Sequence, residues 1–150
     1  MGYNYVEIHG RRMGLDLETG RAFFEGVPFS FTMTPAAAGA NVTEVTLQAV
    51  DYFGKAIAKV VNFDLWLSDA ATGAGLTATT ASGAVAAKAS SGTDFATLTA
   101  KKALRVQTKA DGSYILSITD TAKTAFKVCA QVPDSGVTIV GVTLATGNYG

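Results

Sequence analysis

The sequence predicts an all-β sandwich, and three observations predict it. From Thr43 to Leu67, Val45, Leu47 and Ala49 alternate with Thr46, Gln48 and Val50, and then Phe63, Leu65 and Leu67 alternate with Asp64, Trp66 and Ser68. That period of two buries one face of each strand. Asp51-Tyr52-Phe53-Gly54 lies between the two runs and reads as a tight turn joining consecutive strands. Further on, Asp111-Gly112 sits between Leu104–Gln107 and Tyr114–Ile118, a two-residue hairpin signal in which both turn positions tolerate positive φ. A sandwich of about 100 residues accounts for two thirds of the 150-residue chain, so one domain with a modest elaboration is expected.

The elaboration comes first in the chain. Tyr3, Tyr5 and Glu7 alternate with Val6 and Ile8 in a short strand with mixed faces, followed by Arg11, Arg12 and a hairpin turning at Glu18-Thr19-Gly20. Val27 to Met33 reads as a further strand, with Pro28 near its start, and Pro35 to Ala40 as a small-residue link into the sandwich. The expected organisation is therefore an N-terminal β-hairpin arm over residues 1–40 and a sandwich over residues 41–150. Isolated hairpins are marginal in water, so this arm needs either the sandwich or a neighbouring subunit.

Between residues 70 and 100 only Leu76, Val85, Lys88, Asp94, Phe95 and Leu98 depart from Ala, Gly, Ser and Thr. The tract lacks the charge and proline of a disordered linker. Alternation in Leu76–Thr79 and Phe95–Thr99 favours ordered loops and short strands. Phe126, Val128, Ala130 and Val132 then alternate with Lys127, Cys129 and Gln131, Pro133–Gly136 makes a turn, and Val137 to Leu144 supplies a last strand.

Composition narrows the chemistry. Twelve basic and twelve acidic side chains cancel and are scattered, which leaves no footprint for a nucleic-acid backbone or an anionic membrane. Near-zero net charge also favours self-association. A single cysteine gives no internal disulfide, and the first nine residues lack the basic and apolar regions of a secretory signal, so synthesis in a cytoplasm is expected. No apolar stretch reaches the ~20 residues that a membrane span needs. Asn41-Val42-Thr43 matches a glycosylation sequon, read as chance in a Thr-rich strand.

Catalysis has little material. His9, the only histidine, lies beside Gly10-Arg11-Arg12 in the arm and reads as a solvated or interface residue. Cys129 sits one step off the inward positions of its strand and reads as small apolar packing, on the opposite face or at a subunit contact. One His and one Cys cannot build a four-ligand zinc site. Asp51, Asp111, Asp120 and Asp134 all fall in or near turns; a calcium site is the sharper reading and local bonding to the backbone the favoured one. Thr72–Gly75 and Ser91–Thr93 lack the Lys-Ser/Thr of a phosphate loop and read as turns. Trp66 could stack on a sugar, but a Trp on a central strand is more often buried. No cofactor, no metal and no enzymatic activity are expected.

The run from Val45 to Leu65, with Ala110 to Ala130, resembles the bacterial immunoglobulin-like domains of the invasin type. In that family an Asp and a Gly shape one inter-strand turn and a D-G-x-Y hairpin precedes the closing strands; Asp51, Gly54, Asp111, Gly112 and Tyr114 take those places here. The resemblance covers about residues 42–145 and implies an immunoglobulin-like β-sandwich. Those domains usually stand in tandem in long secreted adhesins, whereas this one follows an arm. A lone domain of this kind with an Ala/Thr/Gly-rich loop looks like small virion proteins of tailed bacteriophages, above all capsid decoration, or cement, proteins. Membership would imply a structural role in the virion, with the major capsid protein and copies of itself as partners and binding across capsid subunits. Tyr5, Phe23, Phe24, Phe29 and Phe31 are then the expected interface anchors, with Arg11, Arg12 and Arg21 as rim contacts. Two alternatives stand beside it: a tail- or fibre-associated glycan-binding module, which needs Trp66 or Tyr52 and Phe53 exposed, and a tail-tube building block.

Overall fold

The computed structural model describes residues 4–18, 20–132 and 139–150, and the backbone alone of Asn4 and Tyr5. Twelve strands form three antiparallel sheets among these residues. The period-two runs become the inner faces of two of them. One sheet has the order β4 (Ser30–Gly39), β5 (Val42–Val50), β10 (Ser113–Thr119), β7 (Val85–Ala87). The other has the order β12 (Val140–Thr143), β11 (Lys127–Gln131), β6 (Asn62–Ser68), β9 (Ala103–Gln107), β8 (Thr93–Thr99). Val45, Leu47, Tyr114, Leu116 and Ile118 from the first meet Phe63, Leu65, Leu67, Val106 and Val128 from the second in one core, sealed by Phe126, Leu144 and Tyr149. The expected immunoglobulin-like β-sandwich with an N-terminal β-hairpin arm is the architecture observed.

Most strands are where alternation placed them, but Leu76–Thr79 is a loop, with the tract's first strand at β7 instead, and two pairings differ. β5 and β6 lie in different sheets, so Asp51–Gly54 closes only a short hairpin, with Val50 bridged to Ala56, before the chain arches to the other layer. β9 and β10 also lie in different sheets; Asp111-Gly112 makes a tight turn, with the Lys109 amide donating to the Ser113 carbonyl, after which the strands part. Both arches interlock. Gly112 has φ 78°, and a Cβ there would lie 1.9 Å from the Ile57 carbonyl oxygen, which belongs to the other arch. The Gln48 side-chain amide sits in the same place and donates to the carbonyls of Ile57 (3.3 Å) and Asp111 (3.1 Å).

The boundary expected at residue 40 falls inside a hairpin of the sandwich. β4 pairs along its length with β5, from Ser30 opposite Val50 to Gly39 opposite Val42, so the small-residue link is an edge strand. Pro35 is tolerated there because an edge position does not need every amide. The arm's own sheet, β1 (Asn4–Ile8), β2 (Arg11–Leu15) and β3 (Ala22–Phe24), ends at Phe24. Its first turn is His9-Gly10, with φ of 51° and 74°, the pairing of left-handed residues that suits a two-residue hairpin. Of the expected Glu18-Thr19-Gly20 turn, Thr19 lies outside the described residues, while the Gly20 amide donates to the Asp16 carbonyl.

The Ala/Gly/Ser/Thr tract is ordered, as expected: it contains β7 and β8 and buries Thr77, Ala81 and Ser91. Asp69 fastens its first loop by accepting from the Thr77 hydroxyl (2.6 Å) and the Ala78 amide (2.7 Å). Asp94 of β8 joins the two sheet edges, accepting from the Tyr114 hydroxyl (2.6 Å) and from the Ala87 amide of β7 (2.9 Å). The turn Pro133–Gly136 and the start of the last expected strand lie outside the described residues.

Turn carboxylates make an acid-sensitivity prediction. Hydrogen bonds from the Ser113 hydroxyl and amide hold Asp111 down to about 2, and those from Lys55 and the Arg12 amide lower Glu25. The Thr77 hydroxyl and Ala78 amide lower Asp69. At Asp120 burial opposes the charge, but bonds from Thr124 and from the Ser82 and Ala122 amides together outweigh it. A carboxylate whose folded pKa is depressed stabilises the fold fully above its unfolded value and loses that contribution as pH falls through the folded one. Thermal stability is thus expected to be flat from neutrality to about pH 5 and to fall steadily from about pH 4 to pH 2. A melting temperature unchanged at pH 2.5 contradicts it.

Candidate functional site

The arm is a two-faced sheet. Cross-strand partners share a face, and the register places Val6 opposite Met13 and Met13 opposite Phe24, Ile8 opposite Arg11, and Leu15 opposite Ala22. The intervening row contains Gly14 opposite Phe23. This second row packs on the sandwich. Gly14 is buried, and a Cβ on it would stand 3.4 Å from the rings of Tyr52 and Phe53.

An aromatic cluster makes the joint. Phe23 stacks on Tyr52 with ring centroids 4.2 Å apart and planes 2° from parallel. Phe29 meets both edge-on at 5.0 Å. Phe53 stands edge-on to Tyr52 at 5.5 Å and carries the Arg12 guanidinium 5.7 Å above its ring. Such contacts add to the area they bury. Hydrogen bonds fix the joint's angle. Asp51, 1% exposed, accepts from the amides of Phe53 (3.0 Å) and Lys55 (2.9 Å) through Oδ1 and from Gly26 of the arm (3.0 Å) through Oδ2. Glu25 receives the Lys55 ammonium at 2.7 Å and the Arg12 amide at 3.1 Å, and Lys59 donates to the Gly26 carbonyl at 3.0 Å.

The first face has no cover among the described residues. Val6 is 54% exposed, Ile8 50%, Leu15 40% and Phe24 49%. Four large apolar side chains on one small sheet face form a patch of a kind that solvent-facing sheets normally replace with polar residues.

The expected anchors separate accordingly. Phe24 is on the exposed face. Phe23 and Phe29 are half-buried in the joint and serve the arm's attachment to its own sandwich. Phe31 is 6% exposed and packs on Phe63 in the core, with centroids 4.3 Å apart, because β4 belongs to the sandwich. Only the backbone of Tyr5 is described, opposite Gly14. Arg11 is exposed beside Ile8 on the outer face; Arg12 spans the joint and reaches Glu25 of its own chain at 4.0 Å; Arg21 is exposed in the loop before β3. Val6, Ile8 and Leu15 were not among the anchors the sequence offered. Their signal was the alternation of Val6 and Ile8 about Glu7 and of Met13 and Leu15 about Gly14.

No protein-family model and no curated protein matches the chain. Among solved structures it is similar to β-glucuronidase 3 of Bacteroides uniformis, with a TM-score of 0.49 and 11% identity over 90% of this chain and 16% of that one. A β-glucuronidase of Parabacteroides merdae is similar at a TM-score of 0.47 and 10% identity, over 91% of this chain and 16% of that one. The chain thus spans about a sixth of the length of each.

The remaining candidates are placed as follows. His9 is exposed in the first turn of the arm. Cys129 faces away from the core, buried beneath Gly73, and burial raises its thiol pKa, which opposes nucleophilic use. Trp66 is half-buried and donates its indole N–H to the Gly73 carbonyl at 2.9 Å. Tyr52 and Phe53 are half-buried in the joint. Asp51, Asp111 and Asp120 each bond local amides, the favoured sequence reading; Asp134 lies outside the described residues. Among the described residues no three His, Cys, Asp or Glu side chains converge as a metal site.

Proposed function

We propose that the protein is a structural virion protein of a tailed bacteriophage, a decoration or cement protein that binds across capsid subunits, with the N-terminal sheet as its assembly surface. The observation that carries the reading is the outer face of that sheet, where Val6, Ile8, Leu15 and Phe24 stand in water on a platform held rigidly to the sandwich. Rigid attachment lets a neighbour bury the patch without first paying to order it. The likeness of an immunoglobulin-like domain with an Ala/Thr/Gly-rich loop to small virion proteins of tailed bacteriophages supports the phage context. The glycan-binding alternative draws less support, because the aromatics it needs are engaged within the chain.

Antibody raised against the purified protein tests the reading on virions of the phage that encodes it. Regular labelling of heads is expected. Labelling confined to tails or fibres assigns it to one of the alternatives, and virions that carry no copy overturn the virion role.

A further inference from the structure

We propose that the outer face of the N-terminal sheet pairs with the same face of a second copy, about a two-fold axis running along the row Val6, Met13, Phe24. The proposal rests on the reading of this sheet as an assembly surface and names its occupant. Three features of the face select a second copy. It is apolar, so a second copy offers it a surface of its own kind, as a two-fold interface must. Its two ends differ in charge: Arg11 stands beside Ile8 at one end, and beyond Leu15 at the other Asp16 and the exposed Glu18 outnumber the exposed Arg21. An axis in the plane of the face and perpendicular to the strands reverses their direction and brings Arg11 of each copy toward the acidic turn of the other. An axis parallel to the strands sets like ends together, and like charges oppose it.

Area is the third. The four exposed apolar side chains of the face leave roughly 350 Å² per copy, against about 800 Å² per partner in a stable complex. A face of that size gives a dimer that dissociates on dilution rather than a permanent one. Weak two-fold contacts of this kind become strong when each copy is also held by a lattice beneath it.

The axis makes a positional test possible. Residues in its row face their own copies across about 10 Å of sheet separation, whereas Ile8, two residues along the strand, is displaced from its copy by a further ~13 Å along the strands. Single-cysteine substitutions Val6→Cys, Phe24→Cys and Ile8→Cys are treated with a bismaleimide spanning about 8 Å between thiols. The native Cys129 is buried and serves as an internal blank. Val6→Cys and Phe24→Cys are expected to give covalent dimers at least tenfold faster than Ile8→Cys, although Ile8 is about equally exposed. Equal rates at all three positions mean unordered association and overturn the proposal, as does the absence of dimer at Val6 and Phe24. Far-UV and near-UV circular dichroism identify any variant that has lost the sheet; Phe24→Cys and Val6→Cys lie on different strands, so one reports if the other misfolds. Row-specific cross-linking together with unlabelled virions leaves the pairing standing and removes the phage reading; the reverse pair of results does the opposite.

Discussion

Gly112→Ala is expected to cost more than about 3 kcal/mol and to lower the urea midpoint by roughly 2 M. Two costs combine. The residue has φ 78°, where an L side chain is strained by about 1–2 kcal/mol. The added Cβ would also lie 1.9 Å from the Ile57 carbonyl oxygen and 2.9 Å from the Gln48 amide nitrogen, so one arch must move off the other. That movement disrupts the Gln48 bonds to Ile57 and Asp111 and the bond from the Ala49 amide to the Gly112 carbonyl, at 2.9 Å. Gly54→Ala separates the costs: φ is again 78° but nothing lies within 4 Å of its Cβ. Equal losses from the two substitutions contradict the interlocked arches.

Asp51→Ala is expected to release the arm. One buried carboxylate serves three amide donors, two in its own turn and one at Gly26, and removing it leaves buried N–H groups without an acceptor at about 1–3 kcal/mol each. The turn presents Tyr52 and Phe53 to the arm, so the stack of Phe23 on Tyr52 should go with it. Limited proteolysis between residues 24 and 30 should accelerate at least tenfold, with loss of near-ultraviolet dichroism from the aromatic cluster. Asp51→Asn keeps one acceptor for the turn but presents a donor at the second position, so it should loosen the arm while sparing the sandwich. Unchanged cleavage in both variants contradicts the role given to Asp51.

Much of this architecture is legible in the sequence because burial in a sandwich imposes a period of two. Val45, Leu47, Phe63, Leu65, Leu116, Ile118 and Val128 are inward where alternation places them. Pairing is not legible in the same way. Asp51–Gly54 and Asp111-Gly112 have the residues of a tight turn, and a tight turn can close a hairpin or start an arch between sheets; the choice depends on which layer has room for the next strand. The small residues of Pro35 to Gly39 hid an edge strand for a related reason: β4 exposes most of this stretch and leaves little hydrophobic pattern. That hidden strand explains Phe31, which looks like an anchor when residues 1–40 are read as one arm and is core once β4 joins β5.

The candidate surface was half visible. Aromatic residues drew attention to Phe23 and Phe29, whose rings are spent on the joint, while the outer face is built mainly from aliphatic residues in strands of five and three residues. In so short a sheet both faces carry apolar residues, and only the position of the sandwich decides which face stays in water. Gly14 marks that choice, since its missing side chain lets β2 approach Tyr52 and Phe53.

The most direct test of the assembly surface is the solution mass of the protein by light scattering behind a sizing column, from about 1 to 200 µM, with Val6→Ser/Phe24→Ser run alongside. The account predicts a native mass rising with concentration toward twice the 15.4 kDa of the chain, and a variant that stays at 15.4 kDa with an unchanged fold. A native protein that remains at the single-chain mass throughout, or a variant that associates as the native protein does, contradicts it.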